Sequence, residues 1–188
     1  MSTAETGTPD RTFNILVLCT GNSARSIMAE ALLNWLAAPH VRAFSAGSRP
    51  VGAVNPHALA RLAGSGLPVA GLRSKSWLEF ATADGVPIDL VITVCANAAQ
   101  ESCPLWPGRP AIVHWGLADP AAAVGSARDI RDAFSTAFDT LQRWIGDWLA
   151  EAADRTDWQR LIVAARAIEA RVGAAVGATA PLRQEVLP

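Results

Sequence analysis

Two residues whose chemistry can act on an anion stand close together near the start of the chain, in the segment 15–30 (ILVLCTGNSARSIMAE). Residues 15–18 form an apolar run that predicts a buried strand, and this strand ends at Cys19. A loop of small residues then leads to Arg25, and an apolar stripe that begins near Ala29 predicts a helix. Backbone N–H groups in a loop between a strand and a helix bind tetrahedral anions, and the same field favours the nucleophilic thiolate. The segment therefore predicts a thiol placed beneath an oxyanion.

The predicted anion-binding set is the whole loop, which comprises Thr20, Gly21, Asn22, Ser23, Ala24 and Arg25. Arg25 adds planar, bidentate donors for two anion oxygens. Ser26, at the start of the predicted helix, is a candidate hydroxyl donor to the Cys19 sulfur. The spacing Cys-x5-Arg is a weak signal by itself. The alternative is a buried cysteine that closes a strand, with Arg25 as a solvated helix start.

Two further cysteines follow a later strand. The apolar run 88–94 predicts a strand that ends at Cys95, and Cys103 lies in the loop that follows. A disulfide needs Cα atoms about 4.4–6.8 Å apart, so the two thiols meet only if the segment between them bends or partly unwinds. A zinc site is one alternative, although zinc favours more ligands at closer spacing. Two buried, inert cysteines are the other alternative.

Asp119 is the candidate proton donor. It follows the predicted strand 111–115 and precedes Pro120, which fixes the local backbone. A carboxylic acid that hangs over an anion site can protonate a leaving oxygen. The alternative is an Asp-Pro turn that leads into a helix.

Composition limits the classes of partner. The formal net charge is −1 and no block of like charges occurs, which argues against a nucleic-acid partner. No apolar run approaches the ~18 residues that span a membrane, and no hydrophobic N-terminal signal is present. We therefore expect a cytoplasmic protein, a compartment in which cysteines are more often catalytic or metal-binding than structural.

Alternating strands and helices predict one α/β domain with a parallel sheet. The expected strands are 13–18, 41–45, 88–94 and 111–115, and the expected helices are 26–37, 55–64, 76–80, one after 126, and 156–172. Asn55 and Ser126 are the predicted N-caps of two of these helices, the second within a capping box with Asp129. The predicted domain covers 12–173, between a disordered tail at 1–11 and a C-terminal tail at 174–188. Ligands of such sheets bind at the carboxyl ends of the strands, where Cys19 and Cys95 both stand.

The sequence CTGNSARS followed by IMAE resembles the signature loop of low-molecular-weight protein tyrosine phosphatases. It resembles still more closely the arsenate reductases built on that fold, over residues from about 13 to about 172. The resemblance implies a single domain with a four-stranded parallel sheet in the order 2-1-3-4, flanked by helices. It also implies arsenate as the substrate and no bound cofactor.

The resemblance implies a chemical role for each candidate residue. The Cys19 thiolate attacks arsenic, Arg25 and the loop amides hold the oxyanion, and Asp119 protonates the departing oxygen. Cys95 then attacks the Cys19 sulfur and arsenite leaves. Cys103 attacks Cys95 and leaves a Cys95–Cys103 disulfide for an external reductant, by the ordinary rules of thiol–disulfide exchange. The reductant implied is thioredoxin, with glutathione, glutaredoxin or mycothiol as alternative routes.

Some reductases of this family hold a potassium ion near the loop. The matching positions are Asn22, Glu30 and Ser45. Asn22 is also expected, by resemblance, to order the loop through side-chain hydrogen bonds. For Glu30 we favour the alternative of a solvated surface residue on the first helix.

The second candidate function is a low-molecular-weight phosphatase that hydrolyses phosphomonoesters with Cys19, Arg25 and Asp119. Such enzymes usually carry a second loop cysteine where this chain has Ala24, and they tend to carry tyrosines after the Asp-Pro pair, whereas this chain has no tyrosine. They also need no later cysteine pair. These differences favour the reductase.

The third candidate is a non-enzymatic oxyanion-binding or regulatory protein. The intact set of Cys19, Arg25 and Asp119 argues against it.

Overall fold

The computed structural model describes residues 11–82, 84–95 and 106–178 of the chain. Its sheet contains β1 (Phe13–Cys19), β2 (Val41–Gly47), β3 (Leu90–Thr93) and β4 (Ala111–His114), all parallel, in the order β2-β1-β3-β4. The helices are α1 (Arg25–Leu36), α2 (Pro56–Gly64), α3 (Ala127–Ala152) and α4 (Trp158–Ala178), with short 3-10 helices at Trp77–Phe80 and Pro120–Ala122. The expected α/β class and the 2-1-3-4 strand order are confirmed.

Strand β1 is buried along its whole length because β2 and β3 flank it and each face of the strand packs into a hydrophobic core. This environment explains its continuous apolar sequence, which is typical of central parallel strands. Successive side chains alternate between two cores. Ile15, Val17 and Cys19 face the larger core beside α1, whereas Leu16 and Leu18 face the smaller one. The alternation therefore points Cys19 toward the start of α1.

The larger core is completed by α3. Its apolar stripe is buried along the helix and consists of Phe134, Phe138, Leu141, Ile145 and Trp148. The indole N–H of Trp148 donates to the carbonyl of Leu161 (2.8 Å), and that of Trp115 donates to the carbonyl of Ala165 (3.1 Å). Helix α4 is thereby fixed against α3 and the end of β4.

Some element ends differ from the expected ones. The third strand is shorter than expected because only Leu90–Thr93 pairs on both sides. The last helix begins at Trp158 and continues to Ala178, past the expected end at residue 172. The predicted N-caps at Asn55 and Ser126 are both confirmed. None of the described helices combines the length and apolarity needed to cross a bilayer.

The capping box at the start of α3 links folding to pH. The hydroxyl and the backbone N–H of Ser126 both donate to the Asp129 carboxylate, at 2.7 and 2.8 Å. These hydrogen bonds hold the pKa of Asp129 below its usual range. A carboxyl whose pKa is lower in the folded chain stabilises the fold above the pKa of the unfolded chain, and this contribution is lost as pH falls through the folded value.

We expect Ser126→Ala to raise the pKa of Asp129 toward its ordinary value and to destabilise the protein. Urea unfolding should show the larger loss at neutral pH. The loss should shrink in acid, where Asp129 is protonated in both proteins. An equal loss at both pH values would contradict a charge contribution from Asp129.

Candidate active site

A cavity of about 480 Å³ opens at the carboxyl ends of β1 and β3. Four of the predicted site residues line it, namely Cys19, Arg25, Cys95 and Asp119. The loop that joins β1 to α1 forms its floor through Thr20, Gly21, Ser23 and Ala24. The structure thus brings together groups from three separate parts of the chain.

The loop is held by its carbonyl groups. Three of its carbonyls accept hydrogen bonds from backbone N–H groups of the segment 49–55. The pairs are Arg49 to Thr20 (3.0 Å), Val51 to Gly21 (3.0 Å) and Asn55 to Ser23 (2.9 Å). No described residue accepts a hydrogen bond from the amides of Gly21, Ser23 or Ala24. The loop carbonyls are therefore satisfied by protein, and these three amides remain available to an anion.

Cys19 lies under this loop and is only 4% exposed. The backbone N–H of Asn22 donates to its Sγ (3.2 Å), and Ser26 Oγ lies 2.9 Å from the same sulfur. The thiol is positioned by the end of β1 on one side and by the first turn of α1 on the other.

Asn22 determines the direction of these hydrogen bonds. It is fully buried and has a left-handed backbone (φ 44°), a conformation that asparagine tolerates better than most residues. The backbone N–H of Lys75 donates to its Oδ1 (2.8 Å). Because that N–H can only donate, the Asn22 amide group must point the other way, toward Ser26 Oγ (2.9 Å) and Ser45 Oγ (2.8 Å).

The consequence concerns Ser26. Its oxygen accepts from Asn22, so its own hydrogen is available to donate to the sulfur of Cys19. A hydroxyl that donates to sulfur stabilises negative charge there. The arrangement agrees with the hydroxyl-donor role expected for Ser26.

Gly47 is a site residue that the sequence analysis did not select. It ends β2 and pairs in register with Cys19. A Cβ atom at this position would lie 2.5 Å from the carbonyl oxygen of Thr20 and 3.1 Å from the backbone nitrogen of Asn22. Only glycine allows β2 to approach the loop this closely. The sequence shows only a glycine at the end of a predicted strand. That this glycine must lie against the loop becomes clear only from the pairing register of β1 and β2.

Arg25 and Asp119 form an ion pair across the mouth of the cavity. Arg25 Nη2 lies 2.9 Å from Asp119 Oδ2, and Arg25 Nη1 donates to the carbonyl of Leu117 (2.9 Å). The second carboxylate oxygen of Asp119 accepts from the backbone N–H of Ala121 (3.1 Å) and caps the 3-10 helix Pro120–Ala122. A guanidinium has five N–H donors, so Arg25 retains donors for an anion.

Cys95 lies in the same cavity, two residues after the end of β3. Its Sγ is 3.6 Å from the hydroxyl of Thr20, and the residue is 4% exposed. Cys19 is present as a free thiol. The expected partner Cys103 and the bend expected between Cys95 and Cys103 lie outside the described residues.

The three positions matched to a potassium site do lie together. Ser45 Oγ donates to Glu30 Oε2 (2.5 Å) and accepts from Asn22. Glu30 is not the solvated residue we favoured, because its side chain is only 12% exposed and the ammonium of Lys75 lies 3.4 Å from its Oε2. Asn22 presents donors, not an oxygen, to Ser45. These contacts fit an ammonium of the chain itself better than a potassium ion.

No cluster of three or more His, Cys, Asp or Glu side chains that could hold a metal lies within residues 11–82, 84–95 and 106–178. The zinc alternative for Cys95 and Cys103 therefore gains no support from the part of the chain that is described.

Gly47→Ala is expected to displace the loop, because the new methyl group would clash with backbone atoms, which cannot move away by a side-chain rotation. We expect the free energy of unfolding to fall by about 1–3 kcal/mol and phosphate affinity, measured by calorimetry, to fall about tenfold or more. Gly146→Ala is the matched control, since nothing lies within 4 Å of the new methyl on α3. That change should stabilise the protein by about 0.5–1 kcal/mol and leave phosphate binding unchanged. Unaltered phosphate binding in Gly47→Ala would refute the steric role of Gly47.

Comparison with known proteins gives the same picture at the level of family. The family model described as low molecular weight phosphotyrosine protein phosphatase matches residues 14–157. The arsenate reductase of Bacillus subtilis is 34% identical over 141 residues, which cover 74% of this chain and 94% of the relative. Arsenate reductase 1 of Staphylococcus epidermidis is 33% identical over 128 residues, which cover 67% of this chain and 92% of the relative.

Solved structures show the same fold. An arsenate reductase from Archaeoglobus fulgidus superposes with a TM-score of 0.52 at 29% identity, covering 70% of this chain and 98% of that chain. An arsenate reductase in a phosphate binding state gives 0.53 at 25% identity, covering 72% and 98%. The low molecular weight protein tyrosine phosphatase of T. tengcongensis gives 0.59 at 21% identity, covering 72% and 96%, a likeness of fold alone. The chain belongs to the low molecular weight phosphotyrosine protein phosphatase family, and its relatives named above by sequence are arsenate reductases.

Proposed function

We propose that this protein is an arsenate reductase that converts arsenate to arsenite through a covalent adduct on Cys19 and a thiol relay through Cys95 and Cys103. The observation that carries the proposal is that a second thiol, Cys95, lines the same cavity as Cys19. A phosphatase of this fold needs only one thiol for hydrolysis, whereas reduction of arsenic needs two electrons from a pair of sulfurs.

Arsenate binds in the loop as a tetrahedral oxyanion. The amides of Gly21, Ser23 and Ala24 donate to its oxygens, as a loop at a helix N-terminus does for phosphate. Arg25 adds charge at the cavity mouth, where Leu117 and Asp119 already fix its orientation. The solved structure of an arsenate reductase in a phosphate binding state supports the choice of a phosphate-like ligand.

In the first step the Cys19 thiolate attacks arsenic. A sulfur–arsenic bond forms and one arsenic–oxygen bond breaks, and the departing oxygen takes a proton from Asp119 and leaves as water. Ser26, which lies 2.9 Å from the sulfur, stabilises the thiolate before the attack. The Asp119 side chain is 42% exposed and lies at the mouth of the cavity, in contact with solvent.

In the second step the Cys95 thiolate attacks the Cys19 sulfur. A disulfide forms, the sulfur–arsenic bond breaks, and its electron pair stays on arsenic, which passes from the +5 to the +3 state and leaves as arsenite. The position of Cys95 supports this step, because its sulfur already touches the loop residue that follows Cys19. Attack still requires Cys95 to move from the Thr20 hydroxyl toward Cys19.

In the third step Cys103 attacks Cys95, and Cys19 leaves as a thiolate. The product is a Cys95–Cys103 disulfide that an external dithiol must reduce. A thioredoxin-type protein is the proposed reductant, and a glutathione, glutaredoxin or mycothiol route would satisfy the same electron balance. No step is assigned to potassium or to a bound cofactor.

Asp119→Asn should slow formation of the first adduct, because an amide cannot supply the proton. We expect arsenite formation under single-turnover conditions to fall by about 10²-fold or more, with arsenate affinity largely retained. Asp139→Asn, which removes another exposed carboxylate paired with an arginine, is the control and should leave the rate unchanged. A normal single-turnover rate in Asp119→Asn would exclude Asp119 as the proton donor.

The relay itself is tested with purified protein, arsenate and a thioredoxin system, following consumption of the reductant beside an assay with an aryl phosphate ester. Cys103→Ser should complete about one turnover and trap a Cys19–Cys95 disulfide, because the third step is lost. Cys95→Ser should release no arsenite from its adduct. Mass mapping of cysteine peptides after arsenate treatment identifies each trapped species.

Two results would count against the relay. One is multiple-turnover arsenate reduction in both cysteine variants. The other is hydrolysis of the aryl phosphate ester by the parent and by both variants, with no arsenate reduction in the parent. The second result would assign the protein to the phosphatases.

A further inference from the structure

Lys75 is the only lysine of the chain, and its side chain is buried, with 6% of its surface exposed. Lysine is rarely buried unless it is paired. Its ammonium lies 3.4 Å from Glu30 Oε2 and donates to the carbonyl of Arg73 (3.3 Å). The Glu30 side chain is only 12% exposed, so water screens the two charges little and they compensate each other. A cation held between a carboxylate and a carbonyl oxygen has the surroundings that a small bound cation would have.

This ion pair is the far end of a hydrogen-bonded chain that reaches the thiol. Glu30 accepts from Ser45, and Ser45 accepts from Asn22. Asn22 also donates to Ser26, which lies against the Cys19 sulfur. Asn22 donates to Ser45, Ser45 donates to Glu30, and the series ends on a carboxylate oxygen that accepts. A charged Glu30 is therefore compatible with all of these hydrogen bonds. A protonated Glu30 would compete with Ser45 for the role of donor.

Lys75 also contacts Asn22 directly, through its backbone. The backbone N–H of Lys75 therefore fixes the side-chain oxygen of Asn22. Its ammonium neutralises the carboxylate of Glu30, at the other end of the hydrogen-bonded series that begins at the Asn22 amide. Removal of the ammonium would leave the largely covered Glu30 carboxylate without the cation that lies 3.4 Å from it, which is costly unless the group protonates or another cation enters. Either change would loosen the support of the loop.

We propose that Lys75 is a built-in counter-cation of Glu30 and a positioning residue for the loop, which makes ordering of the loop independent of any alkali-metal ion. The inference rests on the proposed oxyanion-binding role of the loop and not on arsenic chemistry. It assigns to the chain itself the charge that a potassium ion would supply between Asn22, Glu30 and Ser45.

The test compares phosphate affinity and thermal unfolding in potassium chloride and in choline chloride of equal ionic strength, with phosphate added as its Tris salt. The parent protein should give the same values in both salts. Lys75→Met keeps most of the side-chain volume and removes the charge. It should bind phosphate about tenfold more weakly in choline chloride, as expected for loss of a supporting contact, and its Tm should fall by roughly 10 °C. Lys75→Ala, which leaves room for an ion, should recover part of its phosphate affinity in potassium chloride.

A double-mutant cycle separates the charge effect from general damage. Glu30→Gln removes the charge that Lys75 compensates, so Lys75→Met should cost much less in that background. The double variant also buries no unpaired charge and keeps the test valid if Lys75→Met fails to fold. Arg128→Met is the matched control, because it removes an exposed ion pair with Asp132 on α3 and should change neither phosphate affinity nor the response to potassium.

Three results would overturn the inference. These are a potassium-specific gain in phosphate affinity by the parent protein, unchanged phosphate affinity in Lys75→Met, and equal losses from Lys75→Met with and without Glu30→Gln. Absence of arsenate reduction by the parent would contradict the proposed function and would leave these comparisons intact.

Discussion

The hydrogen bond from the backbone N–H of Lys75 to the side-chain oxygen of Asn22 is the contact on which the site depends. A backbone N–H cannot accept, so this bond decides which end of the Asn22 amide is oxygen. The amide nitrogen must then serve Ser26 and Ser45, and the Ser26 hydrogen is left for the sulfur of Cys19. One obligatory donor thus orients all the polar groups beneath the loop. A left-handed Asn22 is held in place by the same contacts, which offset the strain of that conformation.

The conformation of the loop between β1 and α1 is determined by contacts with other segments of the chain. Its carbonyl groups accept hydrogen bonds from the segment 49–55, and its backbone packs closely against Gly47 at the end of β2. A loop that is fixed by its carbonyl groups keeps its amides free without any rearrangement when an anion arrives. Such pre-organisation is the usual source of strong electrostatic stabilisation at active sites.

The sequence predicted the parts of this design that are local. The apolar run before Cys19, the helix after it and the N-caps at Asn55 and Ser126 depend on neighbouring residues, and the structure has them. The strand order came from the resemblance and not from the residues alone. Contacts between distant segments were not predictable, because they depend on register and on which helix face meets which loop. The contacts of Gly47 and Lys75 are of this kind. The prediction that Glu30 is solvated was wrong for the same reason, because no residue near it in the sequence indicates an ionic partner 45 positions away.

The topology of the sheet explains why the second thiol of this chain can serve the first. Strands β1 and β3 are parallel neighbours, and Leu18 is paired with Thr93. Continuation of that register beyond the paired residues sets Cys95 beside Thr20, which agrees with the 3.6 Å contact between the Cys95 sulfur and the Thr20 hydroxyl. Neighbouring strands lie about 4.8 Å apart, so a thiol that follows β3 begins within one strand spacing of the loop that follows Cys19. In a sheet with the order β2-β1-β3-β4, a cysteine after β4 would follow a strand that does not pair with β1. The first exchange of the proposed relay therefore needs one addition to this fold, a cysteine that follows the strand next to that of Cys19, and Cys95 is in that position.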